Sequence, residues 1–275
     1  AICKNGNCKK KPEPKPDFPD GKPIMDPSGF VYEAVPSNRL EGVKATVYYK
    51  ETSEDMYGDV HVTPVVWDAE HYAQENPLFT DENGEYAWDV PQGQWQVIFE
   101  KDGYETTRTE WLPVPPPQLD INIGMKQYLE PSVLKVKAYE QEVRITFDKY
   151  MKPATLNAVN ISLMKGEEIL DAALELLDNE MDVDGDGASF ASRLRVIPSQ
   201  PLTKGQQVTL VVAGSVESYA GVQMSNDYMQ TFTVEEHVDT IMADSVCVVR
   251  HGNTRTVKVM AGPAAAAAGK KLVVT

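Results

Sequence analysis

Three groups of side chains in this sequence have the types and spacing for chemistry. The run Asp178-Asn179-Glu180-Met181-Asp182-Val183-Asp184-Gly185-Asp186-Gly187 sets Asp182, Asp184 and Asp186 at alternate positions ahead of a glycine. That is the first half of a calcium loop, in which hard oxygen ligands wrap a hard cation and glycine allows the sharp turn. The second half departs from the pattern, because Arg193 stands where the bidentate glutamate belongs, inside an alternating run of Phe190, Leu194 and Val196. A calcium ion bound here would be held weakly and would draw a further carboxylate from Asp178 or Glu180. The competing reading is a solvated hairpin loop, which favours Asp and Gly equally.

The second group lies between positions 51 and 77. His61 and His71, with Asp68 or Glu70, are ligand types that zinc accepts, but they lack the close His-x-x-x-His or cysteine-pair spacing of a zinc site. The same stretch offers Trp67 and Tyr72, with the later Trp111, as stacking platforms for a glycan or other ligand whose hydroxyls neighbouring carboxylates would accept. Against this, Val60-His61-Val62 and Val65-Val66-Trp67 read as an extra strand or flap in which Trp67 plugs the edge of a core. The third group is Cys3-Lys4-Asn5-Gly6-Asn7-Cys8. An Asn-Gly turn closed by Lys4 and Asn7 leaves Cys3 and Cys8 opposite each other at a non-hydrogen-bonded pair, where a cross-strand disulfide fits. Such a bridge implies an oxidising compartment. Cys247, among Val246, Val248 and Val249, reads as a small core residue.

Catalytic signatures are absent: no Gly-x-Ser-x-Gly elbow, no His-Glu-x-x-His, no phosphate-cradling glycine loop. The expectation is a non-enzyme that requires no cofactor, the calcium considered above being an optional ligand. A formal net charge of −15, with lysines clustered only in the first two dozen residues, argues against nucleic acid as a partner. No apolar run approaches the roughly eighteen residues of a membrane span.

The elements that must position these groups are strands. Tyr86, Trp88 and Val90 alternate with smaller or polar neighbours after the Asn83-Gly84 turn, and Trp95, Val97 and Phe99 alternate after Pro91-Gln92-Gly93. Residues 81–104 thus read as a hairpin with one aromatic face, which needs a second sheet to cover it. Upstream, Phe30-Val31-Tyr32 is a strand, and Val43, Ala45, Val47 and Tyr49 line one side of another; downstream, Leu119, Ile121 and Ile123 recur at period two as a last strand. The order G-x-V-Y, L-E-G-V-x-A-T-V, T-D-x-N-G-x-Y-x-W-D-V-P-x-G-x-W-x-V, D-G-Y over residues 24–126 resembles the carboxypeptidase-regulatory-like, or prealbumin-like, sandwich. That resemblance implies a seven-stranded fold and little about activity. Glu51 to Pro77 is inserted into it as a long loop.

Residues 127–236 carry a second set of signals. Val143, Ile145 and Phe147 share one face before the Lys152-Pro153 turn, followed by Leu194-Arg195-Val196-Ile197-Pro198, Pro201-Leu202-Thr203-Lys204-Gly205, Val208-Thr209-Leu210-Val211-Val212 and Ala220-Gly221-Val222. This order resembles the bacterial Ig-like domain of S-layer and other surface proteins, in which the module is architectural. Ala172 to Leu177 leans towards helix. From 237 to 275, strands at Ser245–Val249 and Arg255–Val259 around His251-Gly252-Asn253, a helical turn from Pro263 through five alanines to Gly269, and a strand from Leu272 look like the opening of a further, incomplete Ig-like module.

The fold expected is all-β: tandem antiparallel β-sandwiches, prealbumin-like then Ig-like, with a partial third β module. Residues 1–23, rich in Pro and Lys, precede them as a stiff spacer. The function expected is that of a structural spacer, stalk or adhesion scaffold in a secreted or cell-surface bacterial protein. Its partners are the other domains of a longer chain and a surface glycan or protein, and the alternative is a ligand-binding module built on the 51–77 insertion.

Overall fold

A computed structural model describes residues 26–236 in full, and the backbone of four short strands nearer the ends of the chain. The first two of these, β1 (Ile2–Lys4) and β2 (Asn7–Lys9), pair antiparallel with Cys3 opposite Cys8 and Lys4 opposite Asn7. This is the register that the Asn-Gly turn dictates. The cysteine sulfurs, the Pro-rich spacer, the Cys247 side chain, the helical turn expected at Pro263–Gly269 and the strand expected from Leu272 lie outside the described residues.

The first sandwich is built from β3 (Ser28–Glu33), β4 (Lys44–Glu54), β5 (Val60–Val66), β6 (Leu78–Phe79), β7 (Glu85–Ala87), β8 (Gly93–Glu100), β9 (Thr107–Arg108), β10 (Leu112–Val114) and β11 (Ile123–Met125). One sheet runs β10-β8-β4-β5, with β6 beside β4 and β9 beside β8; the other runs β11-β3-β7. Period-two alternation places Val43, Ala45 and Val47 on the inner face of one sheet, and Tyr86, Trp88 and Val90 across from them, all buried. Burying each aliphatic or aromatic side chain in such a core contributes about 1.5–3 kcal/mol.

Two expectations for this half are corrected. Residues 81–104 are not a hairpin: β7 pairs with β3, and β8 pairs with β4, β9 and β10, so the Pro91–Gly93 reversal carries the chain from one sheet to the other. The two aromatic rows face each other across the sandwich, with the Tyr86 and Phe99 rings edge to face at 5.0 Å. Alternation states which side of a strand is buried, not which strand lies beside it. The last strand begins at Ile123, not Leu119, and pairs parallel with β3; Leu119 is exposed.

The second sandwich comprises β12 (Val133–Ala138), β13 (Val143–Met151), β14 (Ile161–Lys165), β15 (Glu168–Leu170), β16 (Ala172–Leu176), β17 (Glu180–Met181), β18 (Ser189–Pro198), β19 (Gln207–Val212) and β20 (Tyr228–Thr233). A sheet ordered β12-β13-β18-β16, with β17 beside β18, packs on one ordered β15-β14-β19-β20. Val143, Ile145, Phe147, Leu194, Val196, Val208, Leu210 and Val212 fill the space between them. The helical lean at Ala172–Leu177 is overridden: Ala172–Leu176 is strand β16, paired with β18. Ala172, Leu174 and Leu176 sit at period two against the core, so burial outweighs the helix preference of Ala, Leu and Glu. Beyond it, β21 (Val246–His251) and β22 (Thr254–Val259) form an antiparallel pair. The described helical residues are two single turns, Glu70–Tyr72 and Pro153–Thr155.

Candidate functional site

The described part of the molecule concentrates its unusual polar chemistry where the sandwiches meet. Residues 126–132 connect β11 to β12, and their backbone is bonded on both sides. Glu105 donates its N–H to Lys126 O (2.8 Å) and Tyr128 donates to Gly103 O (3.0 Å), tying the connection to the first sandwich. Gln127 N–H donates to Tyr219 Oη (2.8 Å), Lys149 Nζ donates to Leu129 O (3.1 Å) and Ser132 N–H donates to Asp148 Oδ1 (2.8 Å), tying it to the second. A connection with its backbone groups so satisfied is part of the structure, not a tether.

Beside it lies a small apolar cluster. Ala34 and Val35, from the tight loop after β3, bury against Phe190 at the start of β18, with Tyr150 and Tyr219 packed around them. The Phe190 and Tyr219 rings meet edge to face at 6.1 Å. Tyr219 Oη also donates to Met125 O (2.9 Å), so this one hydroxyl holds both ends of the last strand-to-connection step. A chain of side-chain bonds extends the contact: Lys149 Nζ to Gln127 Oε1, Gln127 Nε2 to Tyr104 Oη (3.2 Å), and Tyr104 Oη to Glu33 Oε2.

The acidic loop closes the other side of the junction. Tyr32 Oη, at the end of β3, donates to Asp182 Oδ1 (2.7 Å); Asn122 Nδ2 donates to Asp184 Oδ2 (3.1 Å); Ser37 Oγ donates to Glu180 Oε2. Asn122 is itself fixed, since its Oδ1 accepts the Phe30 N–H (3.2 Å). Tyr150 Oη, on the second sandwich, donates to Glu180 Oε1 (2.8 Å). Each donor is a neutral group facing a carboxylate, a combination stronger than a neutral pair. Burial, and then the bond to Glu180, push the Tyr150 phenol up to about 12. Burial first, and the Asp182 bond next, raise Tyr32 as well. Both phenols therefore stay protonated donors at any physiological pH.

This placement settles what the candidate residues touch. Asp182, Asp184 and Asp186 are spent on three different partners, Asp186 Oδ1 accepting the Ala188 N–H (2.9 Å) within its own turn. Asp178 is engaged by Ser192 and Arg193. Among the described residues no group of three or more His, Cys, Asp or Glu side chains is gathered as a metal would need. His61 pairs with Asp55 (3.2 Å) and His71 with Asp68 (2.8 Å), so the two histidines of the zinc reading are not brought together.

The aromatic candidates divide. Trp67 is only 6% exposed, with its ring edge-on to Trp95 at 5.5 Å and tilted against Tyr72 at 5.2 Å. It closes the sandwich edge instead of offering a platform, because an indole face buried this way excludes more water than one left open. Tyr72 is half-buried beside it, and Trp111 stands apart beneath Lys50, whose Nζ lies 5.8 Å from the ring centre. Sequence reasoning missed the residues that make the junction: Tyr32, Asn122, Gln127, Phe190 and Tyr219. Tyr32 and Phe190 read in the sequence only as strand residues, and the one signal that pointed to this place was the acidic loop itself.

Residues 129–234 match the family model described as bacterial Ig-like domain, which covers the second sandwich. Nothing in the comparisons supports the carboxypeptidase-regulatory-like resemblance of residues 24–126. No curated protein matches the chain. Among solved structures, the N-terminal part of the bacterial S-layer protein SbsC aligns at 21% identity and TM-score 0.31, covering 48% of this chain and 31% of that one. BcpA, the major pilin subunit of Bacillus cereus, aligns at 10% identity and TM-score 0.29, covering 76% and 68%. A Bacteroides uniformis protein to which carbohydrate binding is ascribed aligns at 14% and TM-score 0.22, covering 75% and 97%. The family match, and not these alignments, carries the assignment of the second sandwich.

Proposed function

We propose that residues 26–236 form a stiff, non-catalytic spacer in a secreted or cell-surface bacterial protein, a stalk or adhesion scaffold that holds its neighbours at a set distance and direction. The observation that carries this reading is the junction. Two domains joined for reach alone need only a flexible linker, whereas here the connection, the Phe190 cluster and the acidic loop each bind one sandwich to the other. The bacterial Ig-like match of the second sandwich supports the surface setting.

The test is rotational. Backbone relaxation of the whole chain is expected to return one correlation time for both sandwiches, and two distinct times after Phe190→Ala combined with Asp182→Ala. Two independent times in the unaltered chain remove the reading. Antibody labelling of intact producing cells tests the location.

Two site proposals accompany it. Calcium at Asp182, Asp184 and Asp186 would share these carboxylates with the donors that now engage one oxygen of each, and a melting temperature equal in millimolar CaCl2 and in EDTA removes that proposal. A glycan ligand would use the half-buried Tyr72 and the Lys50-covered Trp111. Saturable glycan binding lost in Tyr72→Ala and Trp111→Ala would replace the passive role by a binding one.

A further inference from the structure

Strand β5 ends its sheet, and among the described residues no strand pairs with its outer side. Trp67 donates its N–H to Val47 O (3.2 Å), so at period two the backbone groups of His61, Thr63 and Val65 face β4. Those of Val60, Val62, Pro64 and Val66 face outward, Pro64 with a carbonyl but no N–H. The side chains of the same four residues share the outer face of the sheet, because Val65 pairs with Tyr49, which packs on the core. Val60, Val62 and Val66 are 67%, 46% and 52% exposed. Met56 and Tyr57 at the hairpin tip are exposed too. An edge with free outward-facing backbone and an apolar stripe is a template for one more strand.

Charge decides which strand. The hairpin carries Glu51, Glu54, Asp55 and Asp59 against Lys50, in a chain of net charge −15, so pairing two β5 edges would bring like charges together. The complementary piece is in the same sequence. Residues 1–11, Ala-Ile-Cys-Lys-Asn-Gly-Asn-Cys-Lys-Lys-Lys, hold Lys4, Lys9, Lys10 and Lys11 and no acid. They already contain strand-forming stretches, β1 and β2, which among the described residues of one chain pair only with each other.

We propose that the Lys-rich segment 1–11 of one copy adds as a strand to the free edge of β5 in a second copy. The contact joins different surfaces, so unless two copies exchange their segments reciprocally it builds rings or open chains. Pro64 confines the ladder to the outer end of β5, and the lysines make the contact salt-dependent. It is thus a weak link suited to many copies held side by side, and it stands whether or not the junction is rigid.

Sedimentation of the whole chain at up to about 1 mM tests it. In about 20 mM salt the average mass is expected to rise with concentration beyond that of a dimer, and the association to weaken at least about tenfold in about 300 mM salt. Deleting residues 1–11, exchanging Lys9, Lys10 and Lys11 for Glu, or making Val62→Lys on the exposed face is each expected to leave a monomer with an unchanged melting temperature. A whole chain that stays monomeric throughout overturns the proposal. So does association that survives removal of residues 1–11, which would mean edge-to-edge pairing of β5, and so does a dimer that persists on a non-reducing denaturing gel, which would be an intermolecular disulfide.

Discussion

Asp26 is fully buried, and its Oδ2 has no hydrogen-bond partner, while Oδ1 accepts the Gln118 N–H. Burial raises its pKa above the ordinary 3.8, the Gln118 bond opposes that, and the charge of Asp89 alongside adds to it. The sign follows from linkage: a carboxyl whose folded pKa is raised binds its proton more tightly in the folded state, so stability is greatest in acid and is lost as pH rises from 3.8 through the folded value. Asp26→Asn keeps the acceptor for Gln118 and removes the charge. It is expected to raise the melting temperature at pH 7 and leave it unchanged below the unfolded pKa, as thermal unfolding across pH will report. Tyr219→Phe addresses a different residue: without its hydroxyl, the Gln127 N–H and Met125 O lose the atom that bridges them. A loss of about 1–3 kcal/mol in denaturant unfolding is expected.

At the scale of elements, the chain substitutes side chains for backbone where strands leave their sheets. Asn76 accepts the Val47 N–H through Oδ1 (2.9 Å) and donates through Nδ2 to Val47 O and Trp67 O (2.9 Å each). It stands in for a strand residue at the place where β4 and β5 diverge. Asn76→Ala strands the Val47 N–H and Trp67 O, while Val47 O keeps the Trp67 N–H; the expected cost is about 2–4 kcal/mol, and hydrogen exchange should then speed up in β5 before the rest of the sheet. Gly84 has φ of +71°, and a Cβ there would lie 2.4 Å from Val31 O. Gly84→Ala is expected to destabilise by more than about 1 kcal/mol, measured by urea unfolding, because rigid backbone occupies the space on both counts. Strand β16 shows the limit of local preference: its composition favours helix, yet the half-buried face it shares with β18 decides its form.

For the molecule as a whole, the consequential feature is that two domains share one boundary cluster. Phe190 is 8% exposed against Ala34 and Val35, and truncating a buried phenylalanine costs about 3–5 kcal/mol when the space cannot collapse. Phe190→Ala is therefore expected to split a single unfolding transition into two, one per sandwich, observable by calorimetry. The β1–β2 register makes a second whole-chain prediction. If Cys3 and Cys8 are joined, thiol titration of the unfolded, unreduced chain will find Cys247 alone reactive.

The sequence by itself determined the strands and their buried faces. Val43, Ala45 and Val47, Tyr86, Trp88 and Val90, Trp95, Val97 and Phe99, and Val143, Ile145 and Phe147 all bury the side that their period-two pattern marks, because alternation is a local property of extended backbone. It also determined the Cys3–Cys8 register, which a two-residue turn imposes on its neighbours. Only the tertiary structure decided that β7 and β8 belong to opposite sheets, that Trp67 is a plug, and that Asp182, Asp184 and Glu180 accept hydrogens from Tyr32, Asn122 and Ser37 of the other sandwich. The last of these brings together residues 62 to 150 positions apart in the chain, and no spacing within a single strand or loop encodes which distant surface will cover it.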